Sequence, residues 1–364
     1  MMADKSISLR DFDWPMLGIL LVISVLGVVQ IYSTTANTPF AGVHRKQIGW
    51  IALGVVLMFT FCVMSYRELL NQASWMYLAV LGLLVVVLVI GNEIAGARRW
   101  LRMGGVSFQV SEVAKLVVIL LLARFFSETE YKGLSWIDVG KVAVALGIPF
   151  LLIAAQPDLG SALTLVPTAA VMLFLAGFKL RYFGLALLAG LLALPVTYHF
   201  LKPYQKARIA TFLNPESDPR NAGYQVLQSK IAVGSGQIWG KGTAQGTQTQ
   251  LRFLPVPHTD FIFAAYAEEH GLAGVLLVLL LYFVLLMRLL RTAATASDAM
   301  GYYLIGGIAG LLAFQILVNM GMVVGYVPVT GIPLPLMSYG GSSVAFTWMA
   351  MGLANSVRVR RFVN

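Results

Sequence analysis

The amino-acid sequence predicts an all-α integral membrane protein, a polytopic bundle of about ten transmembrane helices with one long hydrophilic insertion. Three observations carry that prediction. Of 364 residues, 58% are hydrophobic and only 12% charged, and the mean hydropathy is +0.79; globular domains carry roughly 25% charged residues. The apolar residues gather in runs of about twenty, the length that crosses a hydrocarbon layer of about 30 Å. Lys and Arg crowd alternate connections between these runs, as expected when one side of the membrane retains positive charge.

The first run, 14–31, starts at Trp14 and stays apolar to Gln30. It is longer than a signal-peptide core and lacks a small-residue cleavage site, so it reads as a retained span. Further runs follow at 47–65, 73–91, 111–126, 141–155, 158–177, 182–201, 271–291, 301–325 and 338–357. Ten spans return the chain to its starting side. With the termini inside, the inner segments hold Lys5, Arg10, Arg67, Arg124, Lys132, Lys141, Lys179, Arg181, Arg288, Arg291, Arg358, Arg360 and Arg361. The short outer loops hold only Arg45, Lys46, Arg98, Arg99 and Arg102. The chain therefore reads as a single transmembrane domain over 1–364, with the insertion 202–258 facing outward between the seventh and eighth spans. Pro149, Pro167 and Pro195 fall inside runs and predict kinks that neighbouring helices satisfy. Gly306 and Gly310 give a GxxxG spacing that predicts close helix packing.

Several chemistries are excluded. One buried thiol, Cys62, can neither staple a loop nor build a zinc site. His44, His199, His258 and His270 show no metal-ligand spacing. The stretch Gly234-Ser235-Gly236-Gln237-Ile238-Trp239-Gly240-Lys241-Gly242 fails the phosphate-loop pattern at its first glycine and after the lysine. The net charge of +10 follows from the inner loops and an outer basic basin, so it does not indicate nucleic acid.

Ionisable groups near membrane depth are costly and usually face a bundle interior or a water-filled cavity. Here they collect at the outer helix ends, as a net-basic basin over an apolar bundle. Such a basin suits an anionic headgroup whose tail stays in lipid, since Arg and Lys neutralise phosphate. Arg98, Arg99 and Arg102 fit that role, or contact ordinary phospholipid headgroups; Trp100 is a stacking platform or an interfacial anchor. Glu112 and Lys115, three residues apart, share a helix face and predict an ion pair. Asp158 starts the sixth span, where a carboxylate caps a helix or supports the basin. Asp260 stands in Thr259-Asp260-Phe261-Ile262-Phe263-Ala264, one acid among apolar and aromatic neighbours. That setting raises a carboxylate's proton affinity toward general-base use; an N-cap is the competing reading.

The ordered motifs resemble a known family. Gly96-Ala97-Arg98-Arg99-Trp100, Gln109-Val110-Ser111-Glu112 with Lys115, and Gln156-Pro157-Asp158-Leu159-Gly160 carry the resemblance first. Ala222-Gly223-Tyr224-Gln225, Gln228-Ser229-Lys230, His258-Thr259-Asp260-Phe261, Glu268-Glu269, Pro328-Val329-Thr330-Gly331 and Ser338-Tyr339-Gly340-Gly341 continue it. Together they resemble the SEDS (shape, elongation, division and sporulation) proteins over nearly the whole chain. Gly246-Thr247-Gln248-Thr249-Gln250 leading to Phe253-Leu254-Pro255 is similar to the elongation members more than to the division members. Val110 stands where members usually carry proline, a departure expected to loosen the start of the fourth span.

The resemblance implies a peptidoglycan glycosyltransferase of the bacterial cytoplasmic membrane, with cytoplasmic termini and an extracytoplasmic site. It would polymerise lipid II onto a nascent glycan strand and release undecaprenyl diphosphate. Asp260 would be the catalytic base. Arg98, Arg99, Trp100, Glu112, Lys115, Asp158, Arg208 and Lys230 would form the substrate site. A lipid II flippase is the alternative, although such a carrier should present polar sites to both faces. The implied partners are a class B penicillin-binding protein, the cross-linking transpeptidase, and other membrane proteins of the elongation complex. No ligand spacing demands a cofactor; a divalent cation between carboxylate and diphosphate stays open.

Overall fold

A computed structural model describes residues 9–94, 97–103, 106–129, 134–200, 203–214 and 222–361. Lys5, Lys132 and Lys202 lie outside the described residues, as do the side chains of Glu93, Arg98 and Arg102.

Each of the ten apolar runs becomes a long helix. They are α1 (Trp14–Thr35), α2 (Val43–Val63), α4 (Ala73–Ile90), α5 (Val110–Thr129), α6 (Trp136–Ala155), α7 (Leu159–Leu175), α8 (Leu180–Phe200), α12 (Ile262–Ala294), α13 (Ala299–Val323) and α14 (Gly341–Val359). Six of them, α1, α2, α4, α6, α12 and α13, are by themselves long and apolar enough to cross a membrane. The others are shorter or carry polar groups, as α5 does with Glu112, Lys115, Arg124 and Glu128. Large exposed apolar side chains such as Val56, Leu187 and Leu280 cover the flanks. Such a girdle is stable only against lipid. The chain is a multi-pass helical membrane protein.

Between these helices stand α3 (Tyr66–Asn71), α9 (Pro203–Leu213), α10 (Ala222–Ser235), α11 (Thr247–Gln250) and three strands, β1 (Asn92–Ile94), β2 (Ala97–Met103) and β3 (Val106–Phe108). The strands form an antiparallel sheet in the order β1-β2-β3. The segment read as a hydrophilic insertion is thus largely helical, and α10 packs on α12 and α13.

Helix α13 is the core element. It touches α5, α7 and α12, and a Cβ on Gly306 or Gly310 would lie 2.3 Å from Leu175 Cδ1 or 3.0 Å from Val171 Cβ of α7. The GxxxG spacing therefore serves close packing. Val110 is the first residue of α5 and 1% exposed. That helical position suits proline because its N–H needs no intrahelical partner, and α5 starts there with valine.

One difference sets up the site. The apolar pattern starts the eighth run at 271, but α12 begins at Ile262 and bends at Gly271, whose φ is 63°. Its first arm carries Glu268 and Glu269, which lower local hydropathy and hide the helix from a hydropathy reading.

Because consecutive long helices reverse direction, 92–109, 156–158, 203–261 and 324–340 meet at one end of the bundle. Asp11 and Arg361, near the two ends of the described chain, lie together at the other.

Candidate active site

Asp260 sits in the turn that leads into α12. The N-cap position of that helix is Phe261, with no side-chain cap bond, so Asp260 is not the cap. Its peptide is held from three directions. Asn319 Nδ2 of α13 donates to the Asp260 carbonyl at 3.0 Å and to the Ile332 carbonyl at 2.8 Å. Ser338 Oγ donates to the Thr259 carbonyl at 2.7 Å, and Tyr339 N donates to the His258 carbonyl at 2.9 Å. Gln47 of α2 in turn donates to the Ser338 carbonyl at 3.1 Å. Buried backbone acceptors paired in this way fix the residue's position. Opposite the carboxylate, a Cβ on Gly331 would lie 3.5 Å from Asp260 Oδ2, and the positive φ of 73° there favours glycine.

Burial pushes the Asp260 carboxyl above its ordinary value. The Arg99 guanidinium, the Thr259 hydroxyl and Arg208 pull it back, while Asp158 pushes it further up. Those named charges place β2, α7 and α9 around one acid.

Arg99 and Trp100 project from β2, and both are half-buried. Arg99 Nη1 approaches Asp158 Oδ1 at 3.7 Å. Among the described residues its buried Nε–H has no hydrogen-bond partner. Asp158 caps α7 by accepting from Ser161 N at 3.3 Å, and accepts from Gln109 Nε2 at 2.8 Å. Cap and site contact coincide in one carboxylate. Gly160 brings α7 against the Thr330 carbonyl, 2.4 Å from where a Cβ would stand, and so places Asp158 beside the 328–340 segment.

Arg208 and Lys230 share a cavity of about 120 Å³ with Thr211, Phe212, Val226, Gly325, Pro328 and Val329. Arg99, Arg208 and Asp158 thus act electrostatically on Asp260, and Lys230 shares the cavity of Arg208. Glu112 and Lys115 do not join these groups by any described contact. Lys115 Nζ donates to Glu112 Oε1 at 2.6 Å and lies 5.3 Å from the Phe346 ring centroid of α14.

Sequence reasoning passed over Asn319, Gln47 and the partners of Glu268 and Glu269. The available signal was polarity inside apolar runs, where an uncompensated amide is costly. Glu268 accepts from Lys241 Nζ at 2.8 Å, Gln248 N at 2.9 Å and Thr249 Oγ1 at 3.0 Å. Glu269 accepts from Ser33 Oγ at 2.5 Å and Gln30 Nε2 at 3.2 Å. The glycine-rich 234–242 stretch packs here. A Cβ on Gly236 would meet the Ala267 carbonyl at 2.0 Å, so its glycines permit close approach to α12. Among the described residues no group of three or more His, Cys, Asp or Glu is placed to hold a metal ion.

The model of the FtsW, RodA and SpoVE family, described as cell cycle protein, matches residues 12–362. The chain is 42% identical over 350 residues to the peptidoglycan glycosyltransferase MrdB of Escherichia coli K12, covering 96% of this chain and 94% of that protein. It is 38% identical over 362 residues to stage V sporulation protein E of Bacillus subtilis, covering 94% and 96%. Among solved structures, a chain of a peptidoglycan synthase complex matches with a TM-score of 0.84 at 34% identity, over 97% of this chain and 99% of that one. The crystal structure of the rod shape determining protein RodA of Thermus thermophilus matches with a TM-score of 0.73 at 32% identity, over 97% and 98%. With a family match over almost its whole length, this chain belongs to the SEDS family of FtsW, RodA and SpoVE proteins.

Proposed function

We propose that this protein is a RodA-type peptidoglycan glycosyltransferase of cell elongation that polymerises lipid II on the outer face of the bacterial cytoplasmic membrane. One observation carries the reading. A fixed carboxylate with raised proton affinity lies within electrostatic reach of two guanidiniums, one of which has an unpartnered buried N–H.

The chemistry follows from that pairing. Asp260 takes the proton from the acceptor sugar's 4-hydroxyl as its oxygen bonds to the donor's anomeric carbon. The bond from that carbon to the diphosphate oxygen breaks with inversion, and the electron pair leaves on undecaprenyl diphosphate. Arg99, with Arg208 and Lys230 from the neighbouring cavity, stabilises charge developing on that leaving group. Asp158 holds Arg99 in place, and Trp100 lies one residue on, at the sugar or lipid side. The Glu112–Lys115 pair anchors the start of α5 against α14.

This reading puts both termini in the cytoplasm and the 202–258 segment outside, where a class B penicillin-binding protein and the other elongation proteins would meet it. The deciding experiment uses the purified protein with its partner transpeptidase and lipid II, with glycan product resolved on gels. A general base contributes roughly 10²–10⁴-fold, so Asp260→Asn should remove product. Persistent polymer in that variant would overturn the base assignment, and lipid translocation without polymer would overturn the enzyme reading.

A further inference from the structure

The end of the bundle opposite Asp260 carries a second polar site that the reaction does not use. The last turns of α12 and the C-terminal end of α14 frame a cavity of about 350 Å³ lined by Arg288, Arg291, Ala294, Thr295, Arg358 and Arg361. Two carboxylates face these guanidiniums. Asp13, 1% exposed, pairs with Arg288 and, at 3.1 Å, with Arg358. Asp11 lies 3.5 Å from Arg361. Among the described residues four lining cations face two acids, an excess of two positive charges. Arg291 is exposed, and among the described residues its guanidinium has no ion pair.

Depth and surroundings indicate what would neutralise that surplus. From the Gly271 bend to Arg291, α12 rises about 30 Å, the thickness of a hydrocarbon core. The cavity therefore lies at headgroup level on its side of the membrane. Trp14 and Trp136, at the same end, are 51% and 64% exposed, as interfacial aromatics are. Next to the arginines on α12, Phe283, Met287 and Leu290 expose apolar surface. A phosphate in the cavity would thus continue directly into an acyl-chain path.

We propose that this cavity binds the phosphate of an anionic membrane phospholipid, whose chains lie along Phe283, Met287 and Leu290. The arginine forks match phosphate oxygens. The buried Asp13 holds Arg288 and Arg358 in position before the lipid arrives. The proposal does not depend on the reaction at Asp260.

The test is native mass spectrometry and thermal unfolding of the full chain in detergent. Its probes are dioleoyl-phosphatidylglycerol, dioleoyl-phosphatidylcholine and inorganic phosphate. Phosphatidylglycerol should be retained and should raise Tm, whereas phosphatidylcholine should do neither. Arg291→Gln, which breaks no ion pair, should weaken phosphatidylglycerol binding roughly fivefold. Arg181→Gln, which removes one surface charge elsewhere at that end, should not. Equal binding by wild type and Arg291→Gln would overturn the proposal. A response to inorganic phosphate matching that to the lipid would overturn the lipid assignment.

Discussion

Replacing Lys115 with methionine removes one charge from an ion pair whose side chains are 2% and 3% exposed. The Glu112 carboxylate would lose its 2.6 Å bond at Oε1, and Oε2 already has no hydrogen-bond partner. Stranding a buried charge in this way costs about 3–5 kcal/mol. That is a large share of a typical net stability of roughly 5–15 kcal/mol, and it corresponds to a fall in Tm on the order of 5 °C. Glu112→Gln combined with Lys115→Met removes both charges at similar shape. Replacing a buried pair by neutral groups is often neutral or stabilising, so the double variant should recover within about 1 kcal/mol of wild type.

Polymerisation measured on the same three proteins separates two roles for the lysine. The amine is buried, bonded to Glu112 and placed against Phe346, and it is not among the strongest influences on Asp260. The pair therefore positions α5, and the double variant should regain most of its glycan synthesis along with its Tm. A double variant that unfolds like wild type but makes no polymer would refute this and return Lys115 to the diphosphate.

Four further outcomes follow. Because the Asp260 carboxyl is raised by burial, the acid limb of the pH–kcat/KM profile should lie above the ordinary aspartate value of about 3.9; a limb at or below it would oppose the base assignment. A folded-state value above the unfolded one gives stability that is fully present below the unfolded value and lost as pH rises through the folded one. Asp260→Asn should therefore unfold at an unchanged or higher Tm near neutral pH while activity disappears, and a lower Tm there would contradict the burial argument. Asn319→Leu removes donors to the Asp260 and Ile332 carbonyls; it should cost about 1–3 kcal/mol and lower kcat more than it raises KM, and a pure KM effect would show that Asn319 does not position the base. Gly240→Ala puts a Cβ 2.2 Å from the Glu269 carbonyl at a φ of 79° and should lower stability by about 2 kcal/mol, seen as faster proteolysis within 234–258; wild-type resistance would mean the contact relaxes freely.

The ten helices were legible because each is written in consecutive residues, and a run of about twenty apolar side chains has few other uses. The site residues Arg99, Asp158 and Asp260 were legible as polar exceptions to those runs. The sheet over 92–108 was not, since strands of three, seven and three residues carry too little alternation to compete with a charged loop. Nor was the true start of α12. Glu268 and Glu269 resemble a helix-ending polar break until their donors are known, and those donors lie at 30–33 and 235–249. The same holds for Asp260, whose fixing contacts come from Asn319, 59 residues further on, and from Ser338, which bonds the Thr259 carbonyl 79 residues before it. Local chemistry marks which groups are out of place, whereas the groups that compensate them are set by packing.

The bend at Gly271 ties the 237–239 segment to the arm of α12 that begins beside Asp260. Leu272 N donates to the Gln237 carbonyl at 2.8 Å, and Ala273 N to the Ile238 carbonyl at 3.0 Å. Trp239 follows directly and is 81% exposed, with Ile238 58% exposed. On the other arm of the same bend, Glu268 is tied to 247–249, and two turns earlier the helix begins beside Asp260. A partner seated on Ile238 and Trp239 would press on a segment whose carbonyls are bonded to the bend itself. That provides a connected element, while coupling needs its own measurement. Trp239→Ala, which touches no site group, should leave unstimulated polymerisation near wild type and reduce stimulation by the partner transpeptidase. Exposed aromatic anchors typically cost 2 kcal/mol or more on truncation, roughly thirtyfold in affinity. Full stimulation at the same partner concentration would show that the partner engages another surface and that the bend does not relay its binding.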